Sequence, residues 1–249
     1  MQLADSVCLV TGGTKGIGAA AALLLAQQGA DVAIVGRHDD EEAARTKSRI
    51  EATGRTCLMI AADMGLAEDA RRCVARTADE LGSLDVLVHA AGGPVPGGLF
   101  EVTPDSWERA FNVHVHAVYH LCRAAVPMMK KEREGAIVLV SSVAGIRGLP
   151  MALAYQVVKG AIPQFARGLA YELADDNIRV NAVAPGIIRT AFHANMTAEQ
   201  KQHNLDHRIP LHREGTPLQV AELISELVTN DYITGETITI DGGLTMRIA

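Results

Sequence analysis

Val7-Cys8-Leu9-Val10-Thr11-Gly12-Gly13-Thr14-Lys15-Gly16-Ile17-Gly18 is the stretch on which the fold turns. Its first four residues are an unbroken apolar run, the pattern of a parallel strand buried on both faces. An Ala/Leu-rich segment with helical character follows to Gln28, with Gly29 as its stop. Strand, glycine turn and helix together form a phosphate-binding arrangement. Glycine lets the backbone turn tightly and approach a pyrophosphate, and the helix N-terminus presents free N–H groups. The spacing is G-x-x-x-G-x-G rather than the general G-x-G-x-x-G.

Strand and helix patterns alternate along the rest of the chain. Strands are expected at residues 31–35, 57–61, 84–89, 137–141, 179–183 and 237–240. Helices are expected through residue 52, over 66–81, from 104 to 131, from 155 to about 173 and over 217–229. The 104–131 stretch is expected in two pieces, bent before Pro127, because proline lacks an amide donor. Repeated βα units imply an α/β, doubly wound Rossmann-like fold, a seven-stranded parallel sheet with helices on both faces. Residues 1–249 read as one domain, with a polar segment over 190–216 as a substrate lid. Ligands in such sheets bind at the carboxyl ends of the strands.

A second constellation carries the chemistry. Tyr155 and Lys159 are four apart on an expected helix and share a face, and Ser142 lies thirteen residues earlier. A phenol titrates near ~10 and is a poor base at neutral pH. A nearby ammonium is expected to pull that value down. With a hydroxyl holding a substrate oxygen against the phenol, the set is a proton-transfer device for an alcohol/carbonyl pair. Pro163 lies two turns into the same helix and removes the donor to the Lys159 carbonyl. Either packing absorbs a mild kink there, or the proline tunes the placement of the lysine.

These motifs, with Asp63, His89-Ala90-Ala91-Gly92, Asn112, Pro185-Gly186, Thr190, Gly235 and Asp241-Gly242-Gly243, stand in the order of the short-chain dehydrogenase/reductase family, which the chain resembles over nearly its whole length. The likeness is to the short single-domain subtype, including 3-oxoacyl-carrier-protein reductases and alcohol or sugar dehydrogenases. It implies that Tyr155 is the general acid/base and that Lys159 supports it and holds the nicotinamide ribose. Ser142 orients the substrate oxygen, with Ser141 as the competing serine. Asn112 bends its helix to place a relay water. For the cofactor it implies Gly12, Thr14, Lys15, Gly16, Ile17 and Gly18 around the phosphates. Asp63 and Met64 would face the adenine, and Ala90 and Gly92 would line its passage. Pro185, Gly186, Ile188 and Thr190 would hold the carboxamide. His89 replaces a sheet-stabilising asparagine.

Strand two ends in Gly36-Arg37, with no carboxylate for a ribose 2′-hydroxyl. Arg37, with Lys15 nearby, suits a 2′-phosphate, so NADP(H) is the expected cofactor and NAD(H) the alternative. The substrate pocket is expected among residues 93–98, 143–153, Ile187 and the lid. Reductases acting on a carrier protein use basic residues at the outer ends of the central helices. Here the corresponding places carry Lys130-Lys131-Glu132-Arg133-Glu134 and Asp175-Asp176, and the acidic pair weakens that reading. A small free ketone or secondary alcohol leads. The alternatives are a 3-oxoacyl-thioester reductase and a non-catalytic nucleotide-binding sensor.

The composition agrees with an enzyme of this kind. A chain of 249 residues buries about 75% of its unfolded surface and needs no disulfides. The formal net charge is −6 and no polybasic run occurs, which argues against nucleic acid and anionic membranes as partners. No apolar stretch approaches the ~20 residues of a membrane span, and no signal peptide is evident, so a cytoplasmic location is expected. Cys8, Cys57, Cys73 and Cys122 lack metal-site spacing. His116/His120 and His203/His207 have i,i+4 spacing but no convincing third ligand, so no metal is expected. A homotetramer is the family's usual assembly, with Leu121, Val126 and Phe165 as contact candidates.

Overall fold

The computed structural model describes residues 1–194 and 196–246. Residue 195 of the expected lid and residues 247–249 lie outside them. Seven parallel strands run β1 (Val7–Thr11), β2 (Asp31–Gly36), β3 (Cys57–Ala61), β4 (Val86–His89), β5 (Gly135–Val140), β6 (Ile178–Pro185) and β7 (Thr237–Ile240). Their order in the sheet is β3-β2-β1-β4-β5-β6-β7. The chain reverses its direction of travel between β1 and β4, and in open α/β sheets the ligand crevice opens at that point.

Among the described residues, six of the eight α-helices cover the two faces. Helices α1 (Gly16–Gln27), α2 (Glu41–Glu51) and α8 (Pro217–Thr229) lie on one side, where Leu25, Ile50 and Ile224 meet Val10, Ile34 and Val138. On the other side are α3 (Ala67–Leu81), α5 (Ala117–Glu132) and α6 (Leu153–Leu173), where Val74, Leu121 and Ile162 meet Leu9, Leu87 and Ile137. Alternate strand residues therefore feed the two cores, as the period of a strand requires. Helix α4 (Pro104–Phe111) begins with Thr103 accepting from the Ser106 amide, and Pro104 costs nothing at the first turn. Helix α7 (Ala198–His203) lies within the lid.

Two expectations fail here. The break in the 104–131 stretch is not at Pro127, which lies inside a continuous α5. It is a π-turn over Asn112–His116, between α4 and α5. Proline interrupts one hydrogen bond, which a long packed helix tolerates, whereas a π-turn inserts a residue and shifts the helical phase. Leu121 is wholly buried in the chain's own core and is no surface contact, while its neighbour Tyr119 is exposed.

Candidate active site

The carboxyl ends of the strands bring the expected residues together. After β1 the backbone of Gly12 takes φ +67°, and a Cβ there would lie 2.8 Å from the Ala90 carbonyl. The turns after β1 and β4 are therefore in backbone contact at the crevice. A Cβ at Gly18 would meet the Gly12 carbonyl, so α1 starts tight against the turn. Lys15, Gly16 and Ile17 open that helix. A methyl group of Thr190 lies 3.6 Å from where a Gly16 Cβ would stand, which closes the turn from the lid side. These close approaches need glycine and hold the turn tight at the N-terminus of α1, the arrangement that suits the phosphates of a dinucleotide.

Gly36 ends β2 against Thr14, and a Cβ there would lie 2.6 Å from the threonine methyl. No carboxylate can occupy that place without displacing Thr14. Arg37 is exposed beside it. Lys15 is exposed as well and pairs with Glu42 at 3.0 Å. Asp40 is occupied in capping α2 through the Ala43 amide. Asp63 stands exposed just beyond β3, with one carboxylate oxygen accepting from the Gly65 amide at 2.8 Å, and the Met64 side chain is buried. Pro185 closes β6, the Gly186 amide donates to Ile240, and Ile188 bridges to Gly215 at the lid's root.

His89 ties the turn after β1 to the π-turn. Its Nε2 meets the Val113 carbonyl at 3.2 Å and must donate, so Nδ1 accepts from the Thr11 hydroxyl at 2.8 Å. Burial, with Lys159 nearby, pushes its pKa down to about 3, which keeps that neutral tautomer in place. It holds the sheet, as its asparagine-like position implied. Asn112 opens the π-turn, and its side-chain oxygen pairs with His116 Nδ1 at 2.9 Å.

Ser142 lies just beyond β5, and Tyr155 and Lys159 lie on the first turns of α6. Lys159 Nζ is 5.8 Å from the centre of the Tyr155 ring and donates to the Val140 carbonyl at 2.8 Å. The expectation that Lys159 pulls the phenol down does not hold. Burial raises the Tyr155 pKa, and the opposing influence is a hydrogen bond from Ser142. The lysine is itself buried, and desolvation drops it to about 7, so it is no permanent cation at neutral pH. The Ser141 hydroxyl donates to the Lys159 carbonyl at 2.7 Å, whereas the hydroxyl that hydrogen-bonds the phenol is that of Ser142.

One neighbour escaped sequence reasoning. His114 is buried, its ring stands edge-on to Tyr155 at 5.9 Å, and its Nε2 meets the Gly93 carbonyl at 3.2 Å. Burial takes its pKa down to about 2. The π-turn aims it inward, and no helical spacing announces a π-turn. Phe192, on the lid, also meets Tyr155, with the two rings tilted and their centres 5.7 Å apart. No group of three His, Cys, Asp or Glu able to hold a metal occurs among the described residues. No helix among them is long and apolar enough to cross a membrane.

A family profile described as enoyl-(acyl carrier protein) reductase matches residues 12–245. The chain belongs to the short-chain dehydrogenase/reductase family. The human dehydrogenase/reductase SDR family member 4 is 37% identical over 99% of this chain and 90% of its own length. The acetoin dehydrogenase YohF from Salmonella typhimurium superposes with a TM-score of 0.88 at 31% identity, over 97% of each chain. A blue fluorescent protein from a metagenomic library, solved in complex with NADPH, superposes at 0.91 with 31% identity, over 98% of this chain and all of that one. Membership in this family makes the protein an oxidoreductase using a nicotinamide dinucleotide.

Proposed function

We propose that this protein uses NADP(H) in preference to NAD(H) to interconvert a small free ketone and its secondary alcohol. The observation that carries the reading is the buried phenol of Tyr155, beside the Ser142 hydroxyl and above Lys159. A phenol that holds its proton is a general acid, which carbonyl reduction requires. Ser142 holds the substrate oxygen and stabilises the charge growing on it. Tyr155 delivers its proton to that oxygen, and Lys159, with a pKa near neutrality, is suited to re-protonate the phenol through a water placed by Asn112. The bound dinucleotide supplies the hydride. Preference for NADP(H) is supported by Gly36 packed on Thr14, which leaves no place for an acid, with Arg37 exposed at that end of β2.

The small-substrate reading gains support at the outer ends of α5 and α6. Lys130 pairs with Asp176 at 2.7 Å, and Arg133 donates to the Asp175 carbonyl at 3.0 Å. Cations engaged in this way are poorly placed to grip an acidic carrier protein. The alternative is a 3-oxoacyl-thioester reductase; the matching family profile is described as an enoyl-(acyl carrier protein) reductase, which shares the acyl carrier but reduces a C=C bond rather than a ketone. A cytoplasmic homotetramer with neither nucleic acid nor membrane as partner completes the proposal.

NADPH oxidation is the test, with acetoacetyl-CoA, simple ketones and hydroxy-ketones as substrates. Hydroxy-ketones enter because one structural relative is an acetoin dehydrogenase. Tyr155→Phe is expected to bind NADPH normally and lose about 100-fold or more in kcat. Turnover of acetoacetyl-CoA alone would promote the thioester alternative. Equal turnover in the variant would end the assignment of Tyr155.

A further inference from the structure

Lys159 sits where α6 cannot complete its own backbone hydrogen bonds. In an α-helix the amide of residue 163 would donate to the carbonyl of residue 159. Residue 163 is a proline inside α6, so that donor is missing, and its ring presses on the same carbonyl. Lys159 is only 6% exposed, so water is a poor substitute.

The segment after β5 supplies what is missing. The Ser141 hydroxyl donates to the Lys159 carbonyl at 2.7 Å. Ser141 is itself 3% exposed, and its amide donates to Val183 in β6 at 2.8 Å, so the hydroxyl is held from the sheet. Gly145 backs this contact: a Cβ there would lie 2.5 Å from the carbonyl carbon of Lys159. The far end of the same side chain reaches Val140, whose carbonyl accepts from Nζ at 2.8 Å. Residues 140–145 therefore grip the catalytic lysine at its backbone and at its tip.

We propose that Ser141 is a positioning residue for Lys159, and that Pro163 makes it one: the serine hydroxyl replaces the helical donor that the proline removes. It thereby sets where the lysine stands beneath Tyr155. This rests on the reading of Tyr155 and Lys159 as the reacting pair. The serine hydroxyl is engaged with the Lys159 carbonyl and acts through it. Restoring an amide at position 163 makes the hydroxyl redundant, and that dependence separates positioning from mere filling of space.

The experiment compares Ser141→Ala and Ser141→Thr in the wild-type chain with Ser141→Ala in a Pro163→Ala background. Two readouts are taken: kcat and KM for carbonyl reduction, and the Lys159 titration midpoint. The midpoint comes from carbon NMR of protein made with isotope-labelled lysine, assigned by Lys159→Arg. Ser141→Ala is expected to lower kcat about tenfold with KM within about threefold, and to move the midpoint by about half a pH unit. Ser141→Thr keeps the donor and restores both. With the amide present at 163, Ser141→Ala should cost less than about threefold and leave the midpoint in place. An equal loss in both backgrounds, or no change in either, overturns the proposal. If no carbonyl is reduced, the proposed function has failed, and the midpoints still decide the role of Ser141. Should Ser141→Ala not fold, Ser141→Cys, a near-isosteric and weak donor, carries the same comparison.

Discussion

The glycine turn after β1 and the lid between β6 and α8 lie at the same edge of one sheet, yet they are built by opposite means. The turn is shaped by contact. Gly12 touches the backbone after β4, Gly18 touches Gly12, and Gly36 touches Thr14, so a side chain at any of them collides. The lid is shaped by polar groups near the surface. Thr197 caps α7 in a reciprocal capping box with Gln200, Thr216 does the same for α8 with Gln219, and Arg189 pairs with Glu214 at 3.5 Å. Where sterics dictate residue type, the ligand can be read from the letters. Where caps and surface ion pairs suffice, many sequences serve, and the substrate stays unwritten.

The largest effect that could break this comparison is expected at Gly18. Gly18→Ala should destabilise the protein by about 1–3 kcal/mol and weaken NADPH binding, because the new methyl must displace the Gly12 carbonyl. Gly148→Ala, where nothing lies within 4 Å, is the control and should stay within about 0.5 kcal/mol in denaturant unfolding. Equal costs at the two positions would remove the steric account of the turn.

A second prediction sharpens the contrast between buried and exposed charge. The folded pKa of Lys159 lies near 7, below the ordinary lysine value of 10.5. Between those two values the unfolded chain binds more protons than the folded one, so this group makes stability rise with pH across that window. Below about pH 7 both states carry the charge, and the full cost of burying it is felt. Lys159→Met should therefore be more stable than wild type at pH 6, with the advantage fading toward pH 10. A constant difference across that range in unfolding experiments would show that the lysine is not desolvated.

The smallest effect belongs to the lid. Thr197→Ala removes one exposed cap and should cost about 1 kcal/mol locally. Hydrogen exchange should quicken over residues 198–208, while the global Tm and NADPH affinity stay unchanged. A drop in global stability would mean that the lid is welded to the core in the way the turn is.

Element order, sheet direction and the grouping of motifs at one sheet edge were all legible in the chain, because period, glycine and proline are local signals. The glycine turn was legible for the same reason, and Gly36 marks a β2 that ends without an acid. The errors lie where a long-range contact decides. Pro127 looked like a break, but the surrounding helix absorbs it, and the interruption falls at Asn112–His116 where no proline stands. Leu121 looked like a surface contact and is core. The spacing shows that Pro163 frees a carbonyl, yet nothing in the letters shows that Ser141, just beyond β5, meets that carbonyl.

From residue type and spacing alone came the α/β layering, the nucleotide turn and the Ser142, Tyr155 and Lys159 set, since each follows from backbone geometry or from chemistry that few side chains can do. Protonation belonged to the tertiary structure. A lysine four residues from a tyrosine suggests a lowered phenol, but burial raises Tyr155 and drops Lys159 to about 7. Desolvation depends on everything packed around a group, and that is set by strands and helices distant in the chain. The neutral His89 bridge from Thr11 to the π-turn and the edge-on His114 beside the phenol are products of the same assembly.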